Sequence, residues 1–187
     1  GRGAVVLGMG SLGSKNLNPT SDLDLIIIYD ADDIESSNGR VKLNTRVYYS
    51  RLTQALITAV TAQMSQGKLY ELDMRLRPSG RKGPVATSWT AFRDYQRKDA
   101  WLWEHLALTQ SRVITGPESL SKDIEKFRIS LMGKTDIKVG RKALSEMRIR
   151  ISKHNKTDEW NFKIGPGKIQ DIELLSQLGA LIHGTNT

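Results

Sequence analysis

The sequence predicts an α+β protein in which a sheet unit over residues 1–90 is followed by a helical subdomain over residues 91–187. Three observations support this prediction. Two short runs rich in β-branched residues, 4–7 and 23–29, lie close together near the start of the chain. A third segment, 69–76, alternates apolar and polar residues with the period of a strand. After residue 90 the strand patterns thin out and amphipathic helical patterns replace them.

The first two predicted strands are joined by residues 11–21, which contain glycine, asparagine and proline. We expect this segment to be a loop or a broken turn of helix. The acidic, polar stretch over 30–39 predicts an exposed loop. Within 45–66, apolar residues recur every four positions, which predicts an amphipathic helix that ends at Gly67. These apolar residues are Leu52, Leu56, Val60 and Met64, with Tyr48, Tyr49 and Ile57 nearby.

The third predicted strand is followed by a Pro-Ser-Gly turn at 78–80, and residues 84–88 form a candidate partner strand. The second half of the chain is expected to be all helical. The predicted helices cover residues 90–110, 118–131, 141–153 and 172–182. Trp101, Trp103 and Leu106 recur at helical spacing, so we expect them to lie in the core.

Composition excludes several classes of site in this chain of 187 residues. It has no cysteine, which removes disulfide scaffolds, thiolate nucleophiles, cysteine-based zinc sites and iron–sulfur clusters. A net charge of +8 favours polyanionic partners such as nucleotides, nucleic acid or an acidic protein face, and charge alone does not choose among them. The longest apolar run, 25–29, is far shorter than the roughly 20 residues of a membrane-spanning helix, so we expect a soluble protein with no membrane partner. No pattern typical of a secretion leader opens the sequence, and we expect a cytoplasmic location. The abrupt start at Gly1 suggests a piece of a longer protein.

Three carboxylates are the first candidate site. Asp22 and Asp24 lie two residues apart at the start of the second predicted strand, where the period of two points both side chains to one face. An isolated pair of this kind more often faces water. Asp73, on the polar face of the third predicted strand, would complete a two-metal site if the strands are neighbours. Mg²⁺ prefers such oxygen ligands and removes the repulsion between them.

Two further groups are candidates for binding phosphate. Gly8, Gly10 and Gly13 follow the first predicted strand with Ser11, as in loops that present backbone N–H groups to phosphate, although a simple tight turn is the alternative. Arg75 and Arg77 share the predicted polar strand face with Asp73. A guanidinium matches phosphate oxygens bidentately, and the alternative is that both arginines pair with neighbouring carboxylates.

The order of these motifs resembles the DNA polymerase β-like nucleotidyltransferase superfamily, which implies a mixed sheet with flanking helices. Longer strings are similar to the bacterial glutamine synthetase adenylyltransferases, and together they span nearly the whole chain. These strings are residues 8–13, 21–25, 70–80, 94–97, 103–108 and 171–173. The chain departs from the family pattern at Ser11, at Ser14 and in the Gly-Pro-Gly-Lys segment at 165–168.

The resemblance implies one half of a bifunctional enzyme. One half of such enzymes removes AMP from glutamine synthetase by phosphorolysis, and the other adds AMP from ATP to a tyrosine. The strings 94–97, 100–105 and 112–113 are more similar to the adenylylating half, so we expect Mg²⁺-dependent adenylylation of glutamine synthetase. The adenylyl-removing half and a non-catalytic basic interaction module are the alternatives. PII signalling proteins are expected partners through the full-length enzyme, and nucleic acid is not.

Residue roles follow from the same resemblance. Asp22 and Asp24 would hold two Mg²⁺ ions, and Asp73 would complete the set and act as the base. Nucleotide binding is assigned to five residues, which are Gly10, Ser11, Arg75, Arg77 and Lys168. Lys168 flanks a glycine turn and equally fits a solvated surface. Asp171 and Glu173 belong to a family string, but we expect them to begin a helix, where negative charge suits the dipole.

Overall fold

The computed structural model describes residues 1–68, 70–154, 162–163 and 165–184. The chain divides into two compact units. Unit 1 comprises Gly1–Ala100 and Ser111–Lys126, and unit 2 comprises Trp101–Gln110 and Phe127–Thr187. Each unit is therefore assembled from two separate segments of the chain. The predicted boundary at residue 90, between a sheet unit and a helical subdomain, stays a prediction.

Five strands form one mixed sheet within the described residues of unit 1, which confirms the predicted α+β fold. They are β1 (Gly3–Gly8), β2 (Leu23–Asp30), β3 (Leu72–Asp73), β4 (Ala86–Ser88) and β5 (Arg112–Thr115). β1 lies between β2 and β5 and is antiparallel to both. β3 and β4 both run parallel to β2 along its other edge, with β3 beside its first residues and β4 beside its last.

The centre of the sheet is buried on both faces, which explains the continuous apolar run in β2. Val5 pairs with Ile28, and both side chains are fully buried. On the opposite face, Ile27 and Tyr29 form a buried cluster with residues of the long helix that follows. Successive residues of β2 therefore point to opposite faces and still find apolar partners.

Seven helices complete the described part of the chain. They are α1 (Gly10–Gly13), α2 (Thr45–Val60), α3 (Trp89–Lys98), α4 (Leu102–Thr109), α5 (Glu118–Leu131), α6 (Ile137–His154) and α7 (Ile169–His183). Unit 2 has its own core, in which leucines of α4, α6 and α7 pack against one another around Met132. No helix among the described residues is both long and apolar enough to cross a membrane.

The predicted helix over 45–66 begins where expected but is shorter, and its buried face differs in part from the predicted one. Asn44 caps its start by accepting a hydrogen bond from the Arg46 amide at 3.0 Å. The helix ends at Val60, six residues early. The side chains that pack on the sheet belong to Tyr49, Leu56 and Ile57, whereas Leu52 and Met64 are exposed. Of the apolar residues named for this helix, Tyr49, Leu56 and Ile57 therefore do lie on the buried face, and the prediction was wrong for Leu52 and Met64.

The expectation of an all-helical second half was also wrong. β5 is a strand, because its β-branched residues pair with the free edge of β1. The predicted helix over 90–110 is two helices, α3 and α4. Its break lies at Asp99–Trp101, where Glu104 accepts the Trp101 amide hydrogen and starts a new helix. Trp101 stands outside the core with 63% of its surface exposed, in contrast to the prediction, while Leu106 is buried.

The third predicted strand, 69–76, is mostly not a strand. Leu69 lies outside the described residues, and only Leu72 and Asp73 pair with β2. The chain leaves the sheet after Asp73 because that side chain accepts a hydrogen bond from the amide of Arg75 at 2.8 Å. This local turn replaces the ladder hydrogen bonds. Arg75 and Arg77 consequently do not share a strand face with Asp73.

Candidate functional site

Asp24 and Asp73 are brought side by side by the parallel pairing of β2 and β3. They are direct register partners, and adjacent strands lie about 4.8 Å apart. The pairing extends one residue further, where the Leu23 amide donates to the Glu71 carbonyl at 2.8 Å. Asp22 immediately precedes β2 and is exposed. The structure thus places the three predicted carboxylates near the start of β2. Asp24 of β2 and Asp73 of β3 are register partners, and Asp22 lies just before β2.

The glycine loop lies against Asp24. The amide of Met9 donates to the main-chain carbonyl of Asp24 at 2.9 Å. Gly10 has a φ of +50°, and a Cβ at this position would stand 3.0 Å from Oδ2 of Asp24. Only glycine accommodates both the backbone conformation and this close approach. Ser11 follows in α1 and is half-buried. The predicted glycine loop is therefore adjacent to Asp24, and its role in binding phosphate stays a prediction.

Arg112 supports this loop and was not among the predicted site residues. Its Nη2 donates to the Leu12 carbonyl at 3.0 Å, and its Nε donates to the Gly13 carbonyl at 3.2 Å. The carbonyl groups at the end of a helix lack partners inside that helix, so a guanidinium can satisfy them. Arg112 starts β5, a strand that the sequence patterns did not predict. Without that strand, nothing in the sequence indicated that Arg112 reaches the loop.

Asp73 is held by Arg75 through both of its carboxylate oxygens. Oδ1 accepts the Arg75 amide hydrogen at 2.8 Å, and Oδ2 accepts from Nε at 2.6 Å and also pairs with Nη2. Burial raises the pKa of Asp73, but the side-chain and backbone hydrogen bonds from Arg75 outweigh that effect and lower it below its usual value. Asp73 therefore stays ionised at neutral pH.

Arg77 has a different environment from Arg75. Its guanidinium donates to the carbonyl oxygens of Met74 at 2.7 Å, of Gly83 at 3.3 Å and of Arg81 at 3.4 Å. Burial lowers the pKa of Arg77 from its usual value. These bonds tie together the two ends of the loop between β3 and β4. At Gly83 a side chain is excluded, because a Cβ would lie 2.0 Å from the Pro78 carbonyl oxygen.

The charge pattern of the site is a cluster of carboxylates with one arginine among them. Asp24 and Asp22 both act electrostatically on Arg75, whose pKa is raised first by its hydrogen bond with Asp73. Among the described residues, no three Asp, Glu or His side chains are grouped as a metal-binding cluster. The donor chemistry nevertheless fits a hard divalent cation, since carboxylate oxygens are the ligands that Mg²⁺ prefers. In this structure the group that pairs directly with the Asp73 carboxylate is the Arg75 guanidinium.

Lys168 and Asp171 belong to unit 2. Lys168 immediately precedes α7, and its amide donates to the Gly165 carbonyl at 3.2 Å. Asp171 accepts the Gly167 amide hydrogen at 2.7 Å and a two-bond contact from Arg148, so it stabilises the start of α7 as expected. The backbone bond from Gly167 is the main reason that the pKa of Asp171 is lowered. The nucleotide-binding role of Lys168 stays a prediction.

Comparison with known proteins gives a consistent set of relatives. Residues 1–127 match the family model described as glutamate-ammonia ligase adenylyltransferase. Three similar proteins are each named bifunctional glutamine synthetase adenylyltransferase/adenylyl-removing enzyme. The one from Rhizobium meliloti (strain 1021) is 51% identical over 97% of this chain, and that from Brucella suis biovar 1 (strain 1330) is 46% identical over 97%. The one from Mesorhizobium japonicum is 45% identical over 94%.

The chain spans only part of these relatives, namely 19%, 19% and 18% of their respective lengths. The matched family region contains the glycine loop, the three aspartates, Arg75 and Arg112. It therefore includes every residue that the structure gathers around the start of β2. This chain belongs to the glutamate-ammonia ligase adenylyltransferase family.

Proposed function

We propose that this chain carries a nucleotidyltransferase site that transfers AMP from ATP to a tyrosine of glutamine synthetase. The observation that carries the proposal is the register pairing of Asp24 with Asp73 beside a glycine loop, in a chain of this family. The relatives' name includes adenylyl transfer to glutamine synthetase. The chain has an excess of basic residues, and its net positive charge attracts a polyanion such as ATP.

The three aspartates are the residues that would hold Mg²⁺. Asp24 and Asp73 present carboxylates from neighbouring strands, and Asp22 adds a third from the residue before Leu23. Mg²⁺ held there would supply positive charge that stabilises phosphate oxygens and the departing pyrophosphate. Gly10 keeps the space above Asp24 open, so that the backbone and Ser11 can approach the triphosphate.

The chain's own residues account for the remaining steps of the proposal. A tyrosine hydroxyl has a pKa of about 10, so it is protonated at neutral pH and needs an acceptor as it attacks the α-phosphorus. Asp73 accepts that proton while the bond between the α-phosphorus and the bridging oxygen of pyrophosphate breaks. The Arg75 guanidinium binds phosphate oxygens through its fork of N–H groups and orients the triphosphate. Arg77 is assigned to holding the loop that carries Arg75.

Adenylyl removal is the second candidate, because the relatives' name covers both reactions. The same carboxylates would then serve, with an orthophosphate oxygen attacking the phosphorus of the AMP group. The bond from that phosphorus to the tyrosine oxygen breaks, the tyrosine leaves and takes a proton, and ADP is formed. Adenylylation is favoured by the strings over residues 94–97 and 100–105, which are more similar to the adenylylating half. We further propose that the full-length enzyme works in the cytoplasm and receives PII signalling proteins through parts beyond this chain.

The test offers both substrates to the purified chain. In one reaction it receives α-labelled ATP, Mg²⁺ and unmodified glutamine synthetase, and in the other AMP-modified synthetase and orthophosphate. Label on the synthetase is the expected result. Release of ADP in the second reaction alone would instead assign the chain to adenylyl removal. If the folded chain performs neither reaction, the proposal that it carries out the chemistry is wrong.

A pair of variants ties the activity to the site. Asp24→Asn removes one carboxylate charge beside β3, and we expect it to abolish transfer without unfolding the chain. Asp33→Asn makes the same chemical change at an exposed turn after β2 and should leave transfer unchanged. Equal activity of the two variants would mean that the Asp24 carboxylate takes no part in the transfer. Circular dichroism of both variants checks that the comparison is between folded proteins.

A further inference from the structure

Arg75 occupies the position beside Asp73 that a bound cation would need. Both carboxylate oxygens of Asp73 already accept hydrogen bonds from Arg75, one from its amide and the other from its guanidinium. The Asp73 side chain is largely buried, with 14% of its surface exposed, whereas that of Arg75 is 62% exposed. Oδ2 therefore cannot accept a metal ion on the side of the guanidinium while this contact lasts.

The electrostatics agree with the hydrogen bonds. Asp24 and Asp22 also attract the Arg75 guanidinium, which is thus the positive charge that the carboxylate cluster holds. A divalent cation at the same carboxylates would be repelled by Arg75 at this distance. The two cations therefore compete for the same negative charge.

Arg75 is the arginine of this segment that can move away. Its side chain extends into solvent, so the guanidinium stays hydrated when it leaves Oδ2 of Asp73, and the Arg75 amide still donates to Oδ1. Arg77, two residues later, is bound to main-chain carbonyls on both sides of its loop, and turning it would break the loop. A guanidinium bonds to phosphate oxygens as well as to a carboxylate, since both present two acceptors to its fork.

We propose that Arg75 and a divalent cation are alternative partners of Asp73, and that the nucleotide's phosphates release Asp73 by taking the Arg75 guanidinium. This inference rests on the proposed function and adds an order of events to it. Without nucleotide, Arg75 covers Asp73 and weakens cation binding. With nucleotide, Arg75 turns to the phosphates and Asp73 becomes available. Arg75 is then a positioning residue that makes nucleotide and cation binding strengthen each other.

The size of the effect follows from the exposure of the pair. Exposed ion pairs are weak, so Arg75 should cover Asp73 for most, but not all, of the time. The apparent affinity for the cation falls by the fraction of molecules in which Asp73 is available. Removal of the Arg75 guanidinium should therefore tighten cation binding to the nucleotide-free protein by about two- to sixfold.

The experiment measures Mn²⁺ binding, with the free ion counted by electron paramagnetic resonance. The chain is compared with its variants Arg75→Gln and Arg81→Gln at physiological ionic strength. Arg81 also acts on Asp73 through its charge, but Asp73 accepts its hydrogen bonds from Arg75. Arg81→Gln therefore removes the same charge as Arg75→Gln without removing a hydrogen bond to Asp73. We expect Arg75→Gln to bind Mn²⁺ about two- to sixfold more tightly and Arg81→Gln to change by less than about 1.5-fold. Equal changes in the two variants would overturn the inference.

The second arm adds an ATP analogue with a methylene bridge between the α- and β-phosphates, which cannot transfer AMP. We expect the analogue to tighten Mn²⁺ binding more in the unsubstituted chain than in Arg75→Gln, because only the former gains the release of Asp73. An equal gain in both proteins contradicts the inference. Arg75→Lys keeps the charge and loses the fork, so its Mn²⁺ affinity should lie between those of the other two. That variant also serves if Arg75→Gln fails to fold.

Two outcomes separate this inference from the proposed function. If none of the proteins binds Mn²⁺, with or without the analogue, both the metal site and the role of Arg75 are wrong. If Arg75→Gln binds Mn²⁺ more tightly but the unsubstituted chain transfers no AMP, the competition between Arg75 and the cation stands and the proposed reaction alone is removed.

Discussion

The carboxylate of Asp24 lies directly over Gly10, with Oδ2 3.0 Å from where a Cβ on Gly10 would stand. Gly10→Ala should therefore push this carboxylate aside and strain a backbone whose φ is +50°. We expect AMP transfer to fall at least about tenfold and the free energy of unfolding to fall by about 1–2 kcal/mol. Initial rates and urea denaturation measure the two effects.

Gly67→Ala is the control for this substitution. Gly67 also has a positive φ, of +98°, but nothing lies within 4 Å of its would-be Cβ. The variant should lose a similar amount of stability and keep its AMP transfer. If both glycine variants lose activity equally, the contact between Gly10 and Asp24 has no special role.

Asp73→Asn should separate the turn after β3 from the chemistry. An asparagine side chain still offers an oxygen to the Arg75 amide, so the turn should survive. The neutral asparagine side chain can neither accept the tyrosine proton nor neutralise the charge of a cation. We therefore expect AMP transfer to fall by about 10²–10⁴-fold with little change in thermal stability. Asp73→Ala removes the turn as well and should lower the melting temperature. A fully active Asp73→Asn enzyme would exclude Asp73 as the base.

Arg112→Ala should loosen the glycine loop from outside the site. The variant removes two hydrogen bonds to the carbonyls of Leu12 and Gly13. We expect a loss of about 1–2 kcal/mol in the free energy of unfolding and faster amide hydrogen exchange over residues 11–16. Hydrogen exchange read by mass spectrometry locates the change. Unchanged exchange in this segment would mean that the loop is held by its other contacts alone.

Arg77→Met should destabilise the loop between β3 and β4, in contrast to Arg75→Met. Arg77 satisfies three main-chain carbonyls, some of which would lose their partner, and we expect a loss of about 1–3 kcal/mol in the free energy of unfolding. Arg75→Met removes an exposed contact and should change the stability much less. Urea denaturation of the two variants makes the comparison. Equal losses would mean that Arg77 does not hold the loop.

The two tryptophans at positions 89 and 101 should differ sharply when they are truncated. Trp89 is buried, with 6% of its surface exposed, and Trp89→Ala should cost about 3–5 kcal/mol of stability. Trp101 is 63% exposed, and Trp101→Ala should cost less than about 1 kcal/mol. Denaturant midpoints measure both. A large loss in Trp101→Ala would indicate that its exposed face is covered in solution.

The central strands were predictable because their signal is local. The β-branched run of β2 is buried on both faces, so its sequence is apolar without interruption whatever its neighbours are. The helix α5 was predicted with its observed limits for a similar reason, since its periodicity is complete. The glycine loop and the aspartates were recognisable because the spacing along β1 and β2 already brings them to one end of the sheet.

The features that were missed depend on distant contacts. β5 is a strand only because β1 has an open edge, and four residues with two exposed side chains carry little periodic signal. The alternation around Asp73 suggested a long strand, but one side-chain hydrogen bond to the Arg75 amide ends it. The relation of Arg75 to Asp73 therefore could not follow from strand period. It follows from a turn that competes with the sheet.

The edge of β2 is completed by two short strands rather than by one long one, and the chain between them makes an excursion. Both ends of this excursion are anchored on β2, at Asp24 by Asp73 of β3 and at Ile27 by Ala86 of β4. Its length can therefore change without shifting the register of either anchor. Insertions within residues 74–85 are thus compatible with fixed carboxylates, provided that Arg75 and Arg77 keep their contacts.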